Sequence, residues 1–272
     1  KSLKKELYEV LGKGRRIPKL LSNTIGGGAH SHVKNNKKPD FQEFLIIGNK
    51  KQNIQAYKEL KKILKSETRN DEGAMNTTLC NKHTIELISY GDIEFGTDIA
   101  ASSFYSKGKY NYKNPKRSLT KQQQINFIFE LIKDYGLSYV EDPLNEEDFS
   151  GFAMLLKKAK KIKGAGSKCL IVGDDLTTTN LKRVQKAIKL KSINGLIVKP
   201  NQIGSLIEVK KVCELCKNKG IKIIVSHRSG ETNDSFIADL AIAIGAVMIK
   251  TSVIGKERLA KVNRLEKIGK KI

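Results

Sequence analysis

From about residue 92 to its end, the chain alternates short runs of β-branched and aliphatic residues with amphipathic runs of helical length. This alternation is typical of βα units that build a parallel sheet. Strands are predicted at 93–99, 138–142, 169–174, 195–199, 222–227 and 247–251. Helices are predicted between and after them at 121–134, 146–163, 179–190, 204–219, 233–244 and 256–271.

The first ninety residues follow a different order. Strands are predicted at 20–25 and 41–47, followed by helices at 54–66 and 78–90, with a glycine-rich loop at 26–28 between the strands. Together with the six βα units this makes eight strands and eight helices, and 272 residues suffice for a closed barrel. The sequence therefore predicts an α/β barrel of order ββαα(βα)6, forming a single domain over residues 1–272.

The chain is strongly basic, with 51 Lys and Arg against 28 Asp and Glu, a formal net charge of +23. Such an excess of positive charge favours binding of nucleic acid, an acidic protein partner or an anionic substrate. The net charge alone does not distinguish these three. The lysine run at 157–163 is interpreted as the outer face of a helix, with a nucleic-acid patch as the alternative. Aromatic residues are only 6 %, so stacking platforms for single strands are not evident.

Four cysteines, Cys80, Cys169, Cys213 and Cys216, occur without a secretory segment, and no apolar run reaches the roughly 18 residues of a membrane span. We expect a cytoplasmic protein without membrane contact. The spacing of Cys213 and Cys216 matches CxxC, but it has no second pair and lies in a helical pattern, which favours a packed helix face. The chain begins with Lys1 rather than Met, which suggests that something precedes it.

Carboxylates end three successive predicted strands, namely Asp98, Glu141 and Asp174. Because strand C-termini converge on one mouth of a barrel, these groups would repel each other unless a hard cation lay among them. We therefore predict a Mg²⁺ site, with exposed loop carboxylates as the alternative. The adjoining Asp142 and Asp175 are expected to support the ligands rather than bind the ion.

The next three strands end in Lys199, His227 and Lys250, which predicts a cationic wall opposite the carboxylates. This combination suits removal of a proton next to a carboxylate, in which metal ions hold the enediolate and a lysine takes the proton. Neighbouring cations are expected to lower the pKa of that lysine. The alternative for each lysine is an ordinary surface position. The motif SHRSGET at 226–232 predicts an anion-binding turn, with a solvated turn as the alternative.

Taken in order, these motifs resemble the C-terminal barrel domain of the enolase family, the phosphopyruvate hydratases. The resemblance runs along the whole chain. It rests on LYEVLG at 7–12, IGGGAH at 25–30, QEF at 42–44, DEG at 71–73, DIAAS at 98–102, EDP at 141–143, GDDL at 173–176, KPNQIG at 199–204, SHRSGET at 226–232, FIADL at 236–240, KT at 250–251 and ERLAK at 257–261.

The resemblance implies an enolase-type TIM barrel and a role for each matched residue. Asp98, Glu141 and Asp174 would bind the first of two Mg²⁺ ions, and Lys199 would remove the C2 proton of 2-phosphoglycerate. Glu72, with Glu43 beside it, would act as the acid that helps the C3 hydroxyl leave, since hydroxide is a poor leaving group. Substrate contacts are implied for His30, Gln42, His227, Arg228, Ser229 and Lys250. His32 and His83 have no such match and are predicted to be surface residues.

The chain also departs from the family. Enolases carry an N-terminal domain whose loop closes over the substrate and holds the second Mg²⁺ through a serine, and that domain is not in this sequence. Ala74 replaces a usual second glycine, and Lys256 replaces a small hydroxyl residue. Either the chain begins after that domain, a separate polypeptide supplies it, or the barrel no longer catalyses.

We therefore expect Mg²⁺-dependent dehydration of 2-phosphoglycerate to phosphoenolpyruvate in glycolysis, with an N-terminal domain in cis or in trans and at least a dimeric assembly. The alternative is a catalytically impaired barrel that binds RNA or an acidic partner through its basic surface. A different acid-sugar member of the wider superfamily is disfavoured, because the motifs at 199–204 and 226–232 look specific to enolase.

Overall fold

The computed structural model describes residues 4–31, 33, 37–164 and 166–272. Within them the strands are β1 (Lys19–Gly26), β2 (Glu43–Gly48), β3 (Met75–Asn76), β4 (Glu94–Asp98), β5 (Tyr105–Ser106), β6 (Lys109–Lys113), β7 (Lys116–Leu119), β8 (Tyr139–Glu141), β9 (Leu170–Gly173), β10 (Gly195–Val198), β11 (Lys222–Ser226) and β12 (Met248–Lys250). The helices are α1 (Leu7–Leu11), α2 (Lys50–Leu64), α3 (Asn81–Ser89), α4 (Lys121–Tyr135), α5 (Phe149–Ala159), α6 (Leu181–Lys189), α7 (Pro200–Ile203), α8 (Leu206–Asn218), α9 (Phe236–Ala243) and α10 (Lys256–Gly269).

Eight of the strands close into a barrel in the order β1, β2, β4, β8, β9, β10, β11 and β12. The barrel closes where β12 pairs in parallel with β1, with Leu20 opposite Ile249. β2 runs antiparallel to both β1 and β4, while every other neighbouring pair is parallel. The predicted barrel with its irregular ββαα start is thus confirmed.

The barrel interior and the space between sheet and helices form two separate apolar layers. The interior layer consists of Leu21, Leu45, Ile47, Tyr139, Val172, Ile197, Ile224 and Met248. Side chains of alternate strands fill such an interior, so the barrel is a packed core and the chemistry has to lie at its mouth. Tyr139 is the member of this layer that carries a hydroxyl group, and it lies next to the mouth.

Helix boundaries differ from the predictions where capping residues decide them. α2 begins at Lys50 rather than residue 54, because Asn49 and Gln52 form a reciprocal capping box. α5 begins later than predicted, because the Asp148 side chain accepts the Gly151 N–H at 2.9 Å. It also ends at Ala159, so the second half of the lysine run at 157–163 lies beyond the helix, contrary to the prediction.

A small antiparallel sheet of β5, β6 and β7 lies within residues 100–120, where no element is predicted. Lys107 and Gly108, both at positive φ, form the two-residue turn between β5 and β6. Tyr110 and Tyr112 alternate along β6 and are buried. This period of two was the signal available in the sequence, although the strands are short.

The environment of the cysteine pair in α8 agrees with the prediction. Cys213 and Cys216 face the core from α8 and are buried, as predicted for a packed helix face, and both thiols are free. Among the described residues, no helix combines the length and the apolar character needed to cross a membrane.

Candidate active site

The carboxyl ends of the barrel strands surround a polar cavity of about 220 Å³. The structure brings nearly every predicted site residue to this one place. The lining comprises His30, Gln42, Glu43, Glu72, Asp98, Ala100, Asp142, Asp174, Asp175, Lys199, Ser226, His227, Arg228, Ser229 and Lys250. Glu141, the remaining predicted site residue, is fully buried and bonds Lys250 from below.

Three carboxylates gather at the ends of β8 and β9. Glu141, Asp142 and Asp174 each offer an oxygen, and these atoms lie within 4.8 Å of one another. The two oxygens of Asp142 accept the backbone N–H groups of Asp174 at 3.1 Å and Asp175 at 2.7 Å. Asp142 itself has a φ of 40°, a strained value for a residue with a side chain. Asp142 therefore holds the Asp174–Asp175 turn, and it also offers an oxygen to the group that could hold an ion.

The Lys250 amine lies among the carboxylates rather than opposite them. Its Nζ is 2.9 Å from Asp98 Oδ2, 2.9 Å from Glu141 Oε2 and 2.9 Å from Glu43 Oε2. All four side chains are almost fully buried, and buried like charges are stable only when a cation is close. The expected separation into a carboxylate wall and a lysine wall is therefore wrong: the amine joins the carboxylates.

Lys199 makes the same kind of contact, because its Nζ forms an ion pair with Asp174 Oδ2. Burial lowers the pKa of the Lys199 amine, but the charges of Asp174 and Glu141 outweigh burial and raise it above its usual value. The expectation of a lowered pKa at Lys199 is wrong for this arrangement. The reason is that the Lys199 amine lies next to the carboxylate of Asp174, whereas the prediction placed cations next to this amine.

One oxygen of this group has no protein partner. Asp174 Oδ1 is buried and accepts no hydrogen bond from a described residue, whereas Asp174 Oδ2 bonds Lys199. A buried carboxylate oxygen without a donor is costly unless a cation satisfies it. Carboxylate oxygens are also the ligands that Mg²⁺ prefers. The oxygens of Glu141, Asp142 and Asp174 therefore form a donor set that fits a hard divalent cation. The predicted ligand Asp98 is not part of this close group and instead bonds Lys250, which also bonds Glu141.

Glu43 and Glu72 form a second acidic group, with His30 at its edge. Burial raises the pKa of Glu43 to about 7, against the opposing attraction of Lys250. Burial also acts to raise the pKa of Glu72, but His227, a hydrogen bond from Glu43 and other contacts lower it to about 2. Near neutral pH Glu43 is therefore the partly protonated carboxyl of the pair, whereas Glu72 carries a negative charge.

Asn23 is a site residue that the sequence analysis missed. Its Nδ2 donates to Glu72 Oε2 at 3.1 Å from the middle of β1, and the side chain is buried. A buried asparagine inside an apolar strand was the available signal, since such an amide needs partners. The Glu72 loop is further held by Asn70 Oδ1, which accepts the N–H groups of Glu72 and Ala74. Ala74 is thus compatible with a Glu72 that reaches the cavity.

The loop from Ser226 to Thr232 closes the opposite side of the cavity. Two buried cations of α10 hold this loop: Arg258 Nη2 donates to the Ser229 carbonyl at 3.0 Å, and Lys261 Nζ to the Thr232 carbonyl at 2.5 Å. The Arg228 side chain stays exposed at the rim and bonds Asn201 at 3.2 Å. Ser229 Oγ lies 3.4 Å from Glu72 Oε1. Arg228 and Ser229 therefore present donors to the cavity mouth from an anchored loop.

His227 is buried at the end of β11, with Nε2 3.9 Å from Glu72 Oε2. Burial lowers the pKa of His227 to about 4, so the ring is neutral at physiological pH. Its Nδ1 has no partner among the described residues.

A sequence profile described as "Enolase, C-terminal TIM barrel domain" matches residues 15–272. The chain belongs to the enolase family. It is 40 % identical to the enolase of Picrophilus torridus over 95 % of this chain and 68 % of the relative. It is 38 % identical to the enolase of Pyrobaculum aerophilum, over 98 % of this chain and 68 % of the relative, and 36 % identical to that of Archaeoglobus fulgidus, over 96 % and 68 %. The chain corresponds to the C-terminal barrel part of these enolases.

His83 and one departure from the enolase pattern lie away from the cavity. His83 is exposed on α3, with Nδ1 3.5 Å from the Cys80 sulfur. His32 falls outside the described residues. Lys256 is exposed at the first position of α10 and does not line the cavity.

The stability of this enolase-family barrel should depend on the charge state of His227. Because its pKa is lower in the folded chain than the usual 6.5, the unfolded chain binds more protons between about pH 4 and 6.5. The contribution of neutral His227 to the free energy of unfolding is therefore fully present above pH 6.5. About 3 kcal/mol of stability is lost as the pH falls from 6.5 towards 4.

Urea unfolding from pH 4 to 7.5 tests this prediction. Relative to His227→Gln, the native chain should gain stability as the pH rises through this window, whereas His83→Gln should leave the pH profile unchanged. Parallel profiles for the native chain and the His227 variant would contradict the assignment.

Proposed function

We propose that this barrel carries out Mg²⁺-dependent dehydration of 2-phosphoglycerate to phosphoenolpyruvate, a cytoplasmic hydro-lyase reaction of glycolysis and gluconeogenesis. The observation that carries the proposal is one small cavity lined by Lys199, the acidic pair Glu43 and Glu72, and an anchored loop with Arg228 and Ser229. A base and an acid facing the same cavity are what an elimination needs. Membership of the enolase family supports this particular elimination.

Lys199 is the proposed base for the C2 proton. The side chain is largely buried, and its position follows from β10 and from the Lys199 N–H, which donates to Thr179 Oγ1 at 3.1 Å. A lysine accepts a proton only when it is neutral. The proposal therefore requires that the charge of Asp174 be balanced by a group other than the Lys199 amine during the reaction.

Asp98, Glu141 and Asp174 would hold the Mg²⁺ ion. When bound, the ion would supply positive charge next to the substrate carboxylate, where negative charge develops as the C2 proton leaves. Lys250 is proposed to contact the same carboxylate, from its position between Asp98 and Glu43. Two such ions are proposed, as in the family, and this chain offers ligands for the first.

The acidic pair is the proposed source of the proton for the leaving C3 hydroxyl. The resemblance to enolases gives this role to Glu72 with Glu43 beside it. The raised pKa of Glu43, about 7, supports Glu43 as the carboxyl of the pair that carries the transferable proton. A proton passed between Glu43 and Glu72 would reach the C3 hydroxyl of the substrate from the carboxyl that faces this hydroxyl. His30 Nδ1, 3.5 Å from Glu43 Oε1, and neutral His227 are proposed to contact the same end of the substrate, with Gln42 beside them.

The rim residues Arg228 and Ser229 are proposed to bind the phosphate. An exposed guanidinium and a hydroxyl on an anchored loop supply donors that suit a phosphate dianion. Closure over the substrate is proposed to come from an N-terminal domain, in cis or as a separate chain, and assembly is proposed to be at least dimeric. Water exclusion from the charged site would require such a closure.

Phosphoenolpyruvate formation from 2-phosphoglycerate tests the function directly. The assay compares the chain alone and the chain mixed with the N-terminal domain of the Picrophilus torridus enolase, each with Mg²⁺ and with chelator. Turnover that requires Mg²⁺ in at least one combination is expected. Its absence in every combination would contradict the proposed reaction.

Tyr139 is expected to matter for the Mg²⁺ affinity. The Tyr139 hydroxyl donates from the barrel interior to Glu141 Oε2 at 2.5 Å. Gly96 leaves room for the Tyr139 side chain, because a Cβ atom added at Gly96 would lie 2.5 Å from Tyr139 Cβ. Removing a hydrogen bond that orients a ligand typically weakens metal binding by about 10- to 100-fold. Calorimetric titration with Mg²⁺ or Mn²⁺ should show this weakening for Tyr139→Phe.

The matched control for that titration is Tyr112→Phe. Tyr112 is equally buried and its hydroxyl bonds Gln124 at 2.7 Å, but it lies outside the cavity. This variant should lose stability while keeping its metal affinity. Equal metal affinities for both variants and the native chain would show that the Tyr139 hydroxyl does not orient Glu141.

A further inference from the structure

A group of exposed lysines lies at the end of the barrel away from the cavity. Helices α5, α6 and α8 follow strands whose carboxyl ends form the mouth, so their own C-termini lie at the opposite end. The segments at 160–169, 187–195 and 217–223 contain no Asp or Glu. We call the exposed lysines of these segments the basic end: Lys160, Lys161, Lys163, Lys168, Lys189, Lys191, Lys217, Lys219 and Lys222.

Asn194 shows that the three segments meet. Its side-chain Nδ2 donates to the Cys169 carbonyl at 3.1 Å, and its own carbonyl accepts the Lys222 N–H at 2.9 Å. Asn194 also follows Lys191 by three residues. The loop after α5, the end of α6 and the start of β11 therefore converge on one amide, which places Lys168, Lys191 and Lys222 around it.

Two ordinary explanations of lysines do not account for the basic end. Cations in the last turn of a helix stabilise its dipole, but most of these lysines lie beyond the helix ends. The second explanation is an ion pair with a surface carboxylate, as formed by Lys19 with Glu94 and by Lys50 with Glu266. No lysine of the basic end forms an ion pair with another residue in the described parts of the chain. The charges there are thus left uncompensated.

We propose that the basic end binds the phosphodiester backbone of double-stranded nucleic acid, without sequence preference. Lysine ammonium groups neutralise phosphates as mobile point charges, which gives affinity through counterion release but no base readout. A protein partner would need an apolar centre, and within the described residues of these segments Leu190 is the one large exposed apolar side chain. The mouth and the basic end lie at opposite ends of the barrel, so both can be occupied together.

Fluorescence anisotropy with a labelled duplex of about 20 base pairs, as RNA and as DNA, tests the proposal over about 50 to 200 mM KCl. In the variant, four lysines are changed to Gln: Lys161, Lys163, Lys168 and Lys191. Its affinity should fall at least about tenfold at low salt, and the salt slope should fall by about 3 to 4. The full chain is used throughout, and 2-phosphoglycerate should not compete.

The matched control changes four exposed lysines elsewhere to Gln: Lys58, Lys62, Lys107 and Lys109. It removes the same charge and should change the affinity by less than about twofold. Equal losses in the variant and the control would overturn the proposal, because the binding would then follow net charge alone. It would also be overturned if no duplex bound, or if polyglutamate or anionic vesicles competed as well as the duplex at equal charge.

Discussion

Replacing Lys199 with alanine is expected to lower kcat for phosphoenolpyruvate formation by about 10³- to 10⁴-fold, with little change in KM. Lys199 is the one lysine that both lines the cavity and lies next to a single carboxylate, Asp174. Lys250 is instead enclosed by three carboxylates and is much less able to release a proton. The measurement is steady-state turnover in the combination that supports activity.

Two further variants separate the proposed base from a purely structural charge. Lys199→Arg keeps a cation for Asp174 but cannot give up its proton, so it should be as inactive as the alanine variant. Exchange of the C2 hydrogen of 2-phosphoglycerate with deuterated water should stop in both. Lys58→Ala, on the exposed side of α2, is the control for loss of a lysine. Full exchange in Lys199→Arg would rule out the base role.

Replacing Lys250 with methionine is expected to lower the free energy of unfolding by about 3 to 5 kcal/mol at neutral pH. The substitution keeps the length of the side chain but leaves Asp98, Glu141 and Glu43 buried without their shared cation, and an unpaired buried charge is strongly destabilising. Urea unfolding measures the effect. Lys19→Met, which breaks the half-exposed pair with Glu94, should cost less than about 1 kcal/mol.

The pH dependence of this loss has a definite sign. Without the amine, the already raised folded-state pKa values of Glu43 and Glu141 rise further. A raised carboxyl pKa stabilises the fold at low pH, and this effect is lost as the pH rises. The deficit of Lys250→Met should therefore be smallest near pH 5 and grow towards pH 8. The double variant with Glu141→Gln should recover part of the stability. A deficit that is independent of pH and unrelieved by the double variant would contradict the charge explanation.

Much of the site was predictable because barrel topology turns strand order into spatial order. Asp98, Glu141, Asp174 and Lys199 each follow an apolar run, so their positions around one mouth followed from the βα alternation. Asn23 was not predicted, because it lies within a strand instead of at its end. The β5–β7 sheet was also missed, since strands of two to five residues carry little periodic signal.

The charges were harder to predict than the positions. The sequence places lysines and carboxylates on successive strands, which suggested two opposing walls and a lowered pKa for Lys199. The structure shows amines among the carboxylates and a raised pKa for Lys199. A long lysine side chain reaches across several ångströms, so the identity of its partner depends on which carboxylate comes within reach.

The sequence by itself determined the barrel, its irregular start and the set of residues at its mouth, because hydrophobic periodicity and strand order are local properties that a closed barrel converts into position. Only the tertiary structure decided which charges meet, which of Glu43 and Glu72 holds the proton, and that the lysines after α5 and α6 and before β11 gather around Asn194. These depend on distances of a few ångströms between residues far apart in the chain, where Coulomb energy and burial change steeply.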